Sequence, residues 1–322
     1  MSEGLVIGLL GPTGVGKTTV AVRVAEALGT RIISCDSMQV YEGFPVLTNQ
    51  PMREEEQPKR HDLVGFLDPR SVMTVGQYSK LAAPLVEQSV RRTGFALVAG
   101  GTGLYMRAAL APLAVADPVD PELRRGLEDR ACTEGPEALH RELERLDAEA
   151  AACIDKRNPR RIIRALERVL ASGQAWSGRS DLWEPEYPRP TIVFGLRADR
   201  DALAERILRR TEDMLRQGAV EEVERFRKER EAEATRPGTR GICSAIGYRE
   251  ISEHLAGALT RSEAVDRIAA ATRRYARRQR TWLRKVRDAV MIEVDGLAPG
   301  EIAREIVGLA EHAGERGESA SR

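Results

Sequence analysis

The chain has 322 residues, 42% of them hydrophobic and 31% charged, with a net charge of +1. That is the balance of a soluble globular protein with room for one large domain carrying an insertion, or for two domains. Residues 5–10, the only apolar run near the N-terminus, are too short to cross a membrane and follow no positive segment, so neither a membrane span nor a signal peptide is expected. Four scattered cysteines (Cys35, Cys132, Cys153, Cys243) without a CxxC pair, and only four histidines, leave no zinc cluster and no disulfide framework; the cytoplasm fits best.

Charge is unevenly spread. Acidic residues collect at 54–56 and 221–233, whereas 267–287 holds nine basic residues and no acid. Such segregation suits a chain that binds a polyanion on one face and stays soluble elsewhere. Only six of the 50 basic residues are lysine, so an arginine bias of the whole chain contributes to any such stripe.

In chain order, LVIGLL (5–10) reads as a buried parallel strand, followed by a glycine-rich turn and a helix over about 17–28. RIIS (31–34) is a second short strand ending at Cys35-Asp36-Ser37. Thr74 and Gln77 form a capping box that opens a helix to about Arg92. FALVA (95–99) is a third buried strand, ending in Gly100-Gly101-Thr102-Gly103. This alternation predicts a parallel α/β sheet of the P-loop NTPase kind, with ligands at the C-terminal ends of its strands. From about 117 to 173 only helical periodicity is present, then a loop rich in Pro, Ser and Trp over 172–190. TIVFGL (191–196) resumes the sheet and helices return from Asp199. A flexible loop is expected at 234–241, a long basic helix over about 262–285 and a last strand at 290–294. The predicted organisation is a core of 1–116 and 189–313, an all-helical insertion of 117–188 and a disordered tail of 314–322.

Gly11-Pro12-Thr13-Gly14-Val15-Gly16-Lys17-Thr18 matches GxxxxGK[ST] between a strand and a helix, the setting that motif requires. Its glycines let backbone N–H groups converge on phosphate oxygens, Lys17 supplies a cation and Thr18 a hydroxyl for Mg²⁺. The alternative is a glycine-rich turn with no ligand. A P-loop kinase would next show an apolar strand ending in an acid that holds Mg²⁺, but 95–99 ends in Gly-Gly-Thr-Gly. Asp36 is the only well-placed acid: a general base beside the phosphate, a helix cap or an outer partner of Mg²⁺.

Two basic stripes follow. Lys156, Arg157, Arg160, Arg161, Arg164 and Arg168 crowd thirteen residues with Glu167 as the only acid. Arg273, Arg277, Arg280, Arg284 and Arg287 form the second, beside a face carrying Tyr275, Gln279, Trp282 and Val286. One such stripe is usually a solvated face, whereas two favour nucleic-acid phosphates. Tyr275 and Trp282 read as core rather than as stacking platforms.

Seven blocks now stand in order: GPTGVGKT from Gly11, DSMQVY from Asp36, GGTGLY from Gly100, LHRELERLDAEAA from Leu139, NPRRIIRALE from Asn158, AIGYRE from Ala245 and ARRQRTWLR from Ala276. Through them the chain resembles the bacterial tRNA dimethylallyltransferases (tRNA isopentenyltransferases) over about residues 5–287. The resemblance implies a monomeric, Mg²⁺-dependent enzyme with a helical insertion that grips the anticodon arm. It also implies transfer of dimethylallyl from its diphosphate to the exocyclic amine of the adenine just 3′ of the anticodon, in tRNAs reading codons that begin with U. Asp36 aligns with the general base, and Thr13 and Arg210 with residues that hold the diphosphate. Asp36, Ser37, Met38, Gln39, Thr102, Arg124, Arg160, Arg161, Ile162, Ile163, Arg164, Ser244, Gly247, Tyr248 and Arg249 fall at positions that contact tRNA.

The chain departs from that pattern in places. GFPVLTNQP (43–51) stands where the family has GMDIGTAKP, keeping Thr48 and Pro51 but replacing the lysine by Gln50. The usual KRQ is Arg277-Arg278-Gln279, Ser244 replaces a frequent arginine, and no eukaryotic C-terminal zinc finger follows. These changes touch substrate contacts and not the chemistry. The rival readings are an adenylate isopentenyltransferase, a small-molecule P-loop kinase and a non-catalytic nucleic-acid-binding protein; the insertion, its stripe and ARRQRTWLR argue for tRNA.

Overall fold

The computed structural model describes residues 4–111, 120–172, 187–232 and 241–320. In chain order it forms β1 (Leu5–Leu10), α1 (Lys17–Ala27), β2 (Ile32–Ser34), α2 (Pro45–Thr48), two 3-10 turns, β3 (His61–Asp62), α3 (Val75–Thr93), β4 (Phe95–Gly100) and α4 (Gly103–Leu110). Four helices follow: α5 (Pro121–Thr133), α6 (Pro136–Leu146), α7 (Ala148–Cys153) and α8 (Pro159–Ser172). The chain then gives β5 (Thr191–Arg197), α9 (Arg200–Arg216), α10 (Ala219–Ala232), a 3-10 turn at Gly241–Ser244, α11 (Tyr248–Leu255), α12 (Arg261–Leu283), β6 (Val290–Glu293) and α13 (Pro299–Ala320).

All six strands run parallel in the order β3-β2-β4-β1-β5-β6. Every residue of β1 is buried, as a central strand covered on both faces requires. Its side chains alternate: Leu5, Ile7 and Leu9 enter the core shared with α1, α9 and α13, and Val6 and Leu10 the core shared with α3 and α4. Leu10 pairs with Gly100, and Ser34 with Ala99, so β1, β2 and β4 end together. The turns after these three strands therefore meet on one edge, the position that the topology of an open parallel sheet reserves for a ligand.

The chain divides into two compact units, Met1–Leu113 with Glu184–Arg322, and Ala114–Trp183. The second has its own core, in which Leu139 and Leu143 of α6 meet Ile162, Leu166 and Val169 of α8 at helical spacing.

The Thr74–Gln77 capping box opens α3 as expected, with the Gln77 amide N–H donating to Thr74 Oγ1 at 3.2 Å. Two segments depart from the sequence pattern. The two-residue strand β3 has no periodicity to announce it; it is held by Arg31, whose guanidinium grips Asp62 at 2.7 and 2.8 Å. The tail is helical as far as Ala320 rather than disordered from residue 314. Gly314 and Gly317 cost only about 1 kcal/mol each in a helix, and α13 is already anchored by Ile302, Ala303, Ile306 and Ala310 in the core over α1. Residues 173–186 of the expected 172–190 loop, 234–240 of the 234–241 loop and the last two residues of the tail lie outside the described residues.

Candidate active site

The P-loop joins β1 to α1 with its backbone in the left-handed region at Gly14 (φ 84°) and at Gly16 (φ 93°), which caps α1. A side chain is strained at both positions. Gly11 is needed for a different reason: a Cβ there would lie 3.0 Å from Val15 and 3.1 Å from the Leu196 carbonyl. Val15 itself is buried in the core, so the loop is stitched down from beneath.

The loop opens on a cavity of about 460 Å³, within the size range of small-ligand sites. Thr13, Lys17, Thr18, Asp36, Arg210 and Tyr275 all line it. Lys17 Nζ donates to the carbonyls of Gly11 (2.9 Å) and Pro12 (2.8 Å). Arg210, reaching in from α9, donates to Thr13 Oγ1 at 2.7 Å. Burial, opposed by the Asp36 carboxylate and reinforced by the Arg210 cation, lowers the Lys17 ammonium to about 8. Burial likewise lowers Arg210, with Asp36 pulling the other way. Two cations confined beside one hydroxyl make a receptor for an anion of high charge density.

Asp36 follows β2, where Oδ1 accepts the Met38 amide N–H at 2.9 Å in an Asx turn. The turn fixes one carboxylate oxygen. Beside it, the Thr102 hydroxyl accepts the Ser37 amide N–H at 3.2 Å and donates to Ser37 Oγ at 3.4 Å. Gln39 is held by Ser34 (3.1 Å) and the Asn49 carbonyl (2.6 Å). Ser37, Met38 and Gln39 thus form one wall, and Leu47, Thr48, Asn49 and Pro51 extend it. Glu222 of α10, a buried carboxylate that burial raises, holds that second stretch by accepting the Val46 and Leu47 amide N–H groups, both at 2.8 Å. Cys35 is buried next to Asp36 and its thiol is pushed well up by burial, so it offers no nucleophile.

The Gly-Gly-Thr-Gly turn works through close approach. A Cβ at Gly100 would meet the Cys35 backbone and sulfur at 2.7 Å, and one at Gly103 the Trp282 ring at 2.5 Å. One at Gly101 would collide with the Gln279 amide. Gln279 appears in the sequence on an apolar seam and as the last residue of Arg277-Arg278-Gln279, with nothing there to show what it bonds. It is buried, accepts the Thr13 amide N–H (2.8 Å) and donates to the Gly101 carbonyl (2.8 Å), tying the P-loop to the turn after β4.

Some expected tRNA contacts do not reach a free surface. Tyr248 is buried against Phe226 at 6.3 Å between ring centroids, and Gly247 caps α11 with φ 103°. Of the 244–249 block only Ser244, Ala245 and Ile246 line the cavity, while Arg249 is exposed and paired with Glu250 and Glu253. In the helical unit Ile162 and Ile163 are core residues because α8 turns its apolar face inward; Arg160 and Arg161 are exposed. Tyr275 is a correction of the opposite kind. It faces the cavity instead of the core, with Arg278 5.6 Å from its ring centroid, and burial together with the Asp36 charge pushes its hydroxyl up to about 12. Trp282 is half-buried against Gly103.

Among the described residues no group of three or more His, Cys, Asp or Glu side chains could hold a metal ion. The cavity oxygens include the hydroxyls of Thr13 and Thr18 and the carboxylates of Asp36 and Glu56. That sparse set suits Mg²⁺, which keeps several waters and shares phosphate oxygens, and does not suit an ion that needs a full protein cage.

A parallel sheet whose central strand delivers a P-loop into a cavity lined by the Asp36 carboxylate and by the Lys17 and Arg210 cations defines a P-loop α/β enzyme that handles a phosphorylated small molecule. The IPP transferase family model matches residues 39–286, and the chain belongs to that family. It is 40% identical to a tRNA dimethylallyltransferase of Thermomicrobium roseum over 90% of this chain and 86% of that one. It is 39% identical to one of Methylococcus capsulatus, over 89% and 92%. The crystal structure of the full-length tRNA isopentenylpyrophosphate transferase of Bacillus halodurans superposes with a TM-score of 0.71 at 32% identity, covering 99% of each chain. A eukaryotic dimethylallyltransferase acting on tRNA, 24% identical, shares the fold with a TM-score of 0.76.

Proposed function

We propose that this protein transfers the dimethylallyl group of dimethylallyl diphosphate to N6 of the adenine 3′-adjacent to the anticodon (position 37), in tRNAs reading codons that begin with U. The products are N6-(dimethylallyl)adenosine and diphosphate. The observation that carries the reading is the Asp36 carboxylate sharing one cavity with Lys17, Thr13 and Arg210. A kinase needs its acid on the metal, whereas in this reading the carboxylate takes the proton of the acceptor amine.

The adenine amine is a weak nucleophile because its lone pair is delocalised into the ring. As N6 forms its bond to C1 of the dimethylallyl group, the C1–O bond to diphosphate breaks with its electron pair leaving on oxygen. The N6 proton passes to Asp36. Lys17, the P-loop amides and Arg210, steadied by Thr13, stabilise the charge that grows on the departing diphosphate. Mg²⁺ held at Thr18 would supply further charge neutralisation to the diphosphate oxygens. The target base must leave its stack to enter the cavity; Ser37, Met38, Gln39 and Tyr275 form the walls that receive it. Arg160, Arg161, Arg164 and Arg124 of the helical unit would take backbone phosphates. In this reading the chain works as a monomer in the cytoplasm; among the described residues no helix is long and apolar enough to cross a membrane.

The rival is transfer to free AMP or ATP by the same core. Radiolabelled prenyl transfer with tRNA, AMP and ATP as acceptors tests the reading. Label in tRNA alone is expected, and label in AMP or ATP with none in tRNA would overturn it.

A further inference from the structure

The one acid of the first basic stripe is the best-buried charged side chain of the helical unit. Glu167 on α8 has a side-chain exposure of 1%, yet each of its oxygens faces an arginine that is about two-fifths exposed. Oε1 lies 2.8 Å from Arg124 Nε, an ion pair that is off the hydrogen-bond line, and Oε2 accepts from Arg164 Nη1 at 3.1 Å. The two arginines come from different helices, α5 and α8, and α8 is packed by Ile162, Ile163 and Leu166 on its inner face. A buried carboxylate is costly and is retained where its partners need it. Glu167 neutralises one charge of the two, Glu128 of α5 lies 3.6 Å from the same Arg124 Nε, and both arginine side chains stay about two-fifths exposed.

We propose that Glu167 is a positioning residue for the acceptor RNA: it clamps Arg124 and Arg164 at a fixed spacing, so that both guanidiniums meet backbone phosphates as a rigid pair. The inference rests on the tRNA reading above. A free arginine loses side-chain entropy on binding a phosphate, and a clamped one has already lost it. The rigid pair also distinguishes a folded RNA with phosphates at the matching separation from any other polyanion.

Glu167→Gln separates this role from plain electrostatics, because the two make opposite predictions. The substitution adds one positive charge to the surface, so if the stripe acts only by charge it should bind every RNA more tightly and with a steeper salt dependence. If Glu167 positions the pair, KM for an unmodified tRNA transcript should rise about tenfold, the scale of one or two weakened charge-assisted contacts. In that case kcat at saturating tRNA and the affinity for dimethylallyl diphosphate stay at the parent values, and an unrelated RNA hairpin binds somewhat more tightly. An unchanged or lower KM for tRNA in a variant with the parent's helical circular dichroism would overturn the proposal. Should Glu167→Gln lose helical signal, the pair Arg124→Lys with Arg164→Lys keeps every charge and removes the planar fork. The same rise in KM is expected there, and parent-like KM would be equally decisive against the clamp. Failure of the parent chain to modify tRNA in the same assay would instead sink the tRNA reading.

Discussion

In the P-loop core, Lys17 and Arg210 line one cavity and are lowered by burial, with the Asp36 carboxylate acting in the opposite direction on both. In the helical unit the arrangement is reversed: Arg160 and Arg161 stand in solvent, and the sunken charge is the carboxylate of Glu167. Buried cations interact strongly, at short range and with little screening, so they select a small compact anion and respond to pH. Exposed cations act through the ion atmosphere of a long polyanion and respond to salt. On the proposed function the same residue types would serve two ligands of very different size, and each region could be perturbed with a variable that leaves the other untouched.

The largest expected effect is at Asp36. Asp36→Asn retains the shape and a hydrogen bond to the amine but cannot accept its proton, so kcat should fall by at least about 10²-fold, the lower end of general-base contributions. Single-turnover transfer across a Mg²⁺ series checks this. A rate within about threefold of the parent would mean that Asp36 is not the base, and full rescue by Mg²⁺ would make it a metal partner instead. Next, Lys17→Ala and Thr18→Ala should lose diphosphate binding while tRNA binding persists, read by calorimetric titration with each ligand; diphosphate affinity unchanged in both would remove the P-loop from the mechanism. Replacing the exposed Arg160 and Arg161 by Ala is a smaller change. Each arginine–phosphate pairing so removed should flatten the slope of log K for tRNA against log salt by about 0.7 to 0.9, with diphosphate affinity unaffected. Identical slopes would return these arginines to a solvated face.

The smallest effect is a pH dependence that the helical unit should not share. Lys17 is charged below about 8 and loses its proton above it, so affinity for dimethylallyl diphosphate should be level to about pH 8 and decline beyond, well before an ordinary lysine titrates at 10.5. Stability moves the other way. Between about 8 and 10.5 the unfolded chain holds a proton on this group that the folded chain lacks, so Lys17 contributes increasing stability as pH rises through that window. Diphosphate titrations and thermal melts from pH 7 to 10, on the parent and Lys17→Met, should show both trends in the parent and neither in the variant.

Much of this contrast is legible in the amino-acid order, because it is local. The P-loop spells its own geometry, β1, β4 and β5 are continuous apolar runs, and Asp36 follows a short strand directly. What escapes depends on pairing at a distance. Gln279 meets Thr13 across 266 positions, and no periodicity in α12 distinguishes a buried glutamine from a solvated one. Tyr275 lies one turn before Gln279, and only the placement of α12 decides whether it faces a core or a cavity. Ile162 and Ile163 stand amid arginines that resemble tRNA contacts, but an amphipathic helix must bury something, and those are the residues it buries. The glycines after β4 are plain in the sequence; what crowds them only packing could show.

The double engagement of Gln279 has a consequence for how this sequence can change over time. Its amide gives one hydrogen to Gly101 and takes one from Thr13, so glutamate could serve only the second partner and lysine only the first. Asparagine has both functions but is one methylene short. Gly101, for its part, has no room for a methyl group beneath that amide. Neither position has a viable neighbour one step away in chemistry, and changing either alone unties the phosphate loop before any compensating change can arrive. The pair is therefore coupled, whereas the grip of Glu222 on the backbone amides of Val46 and Leu47 is a contact that a change of side chain at those two positions does not by itself remove.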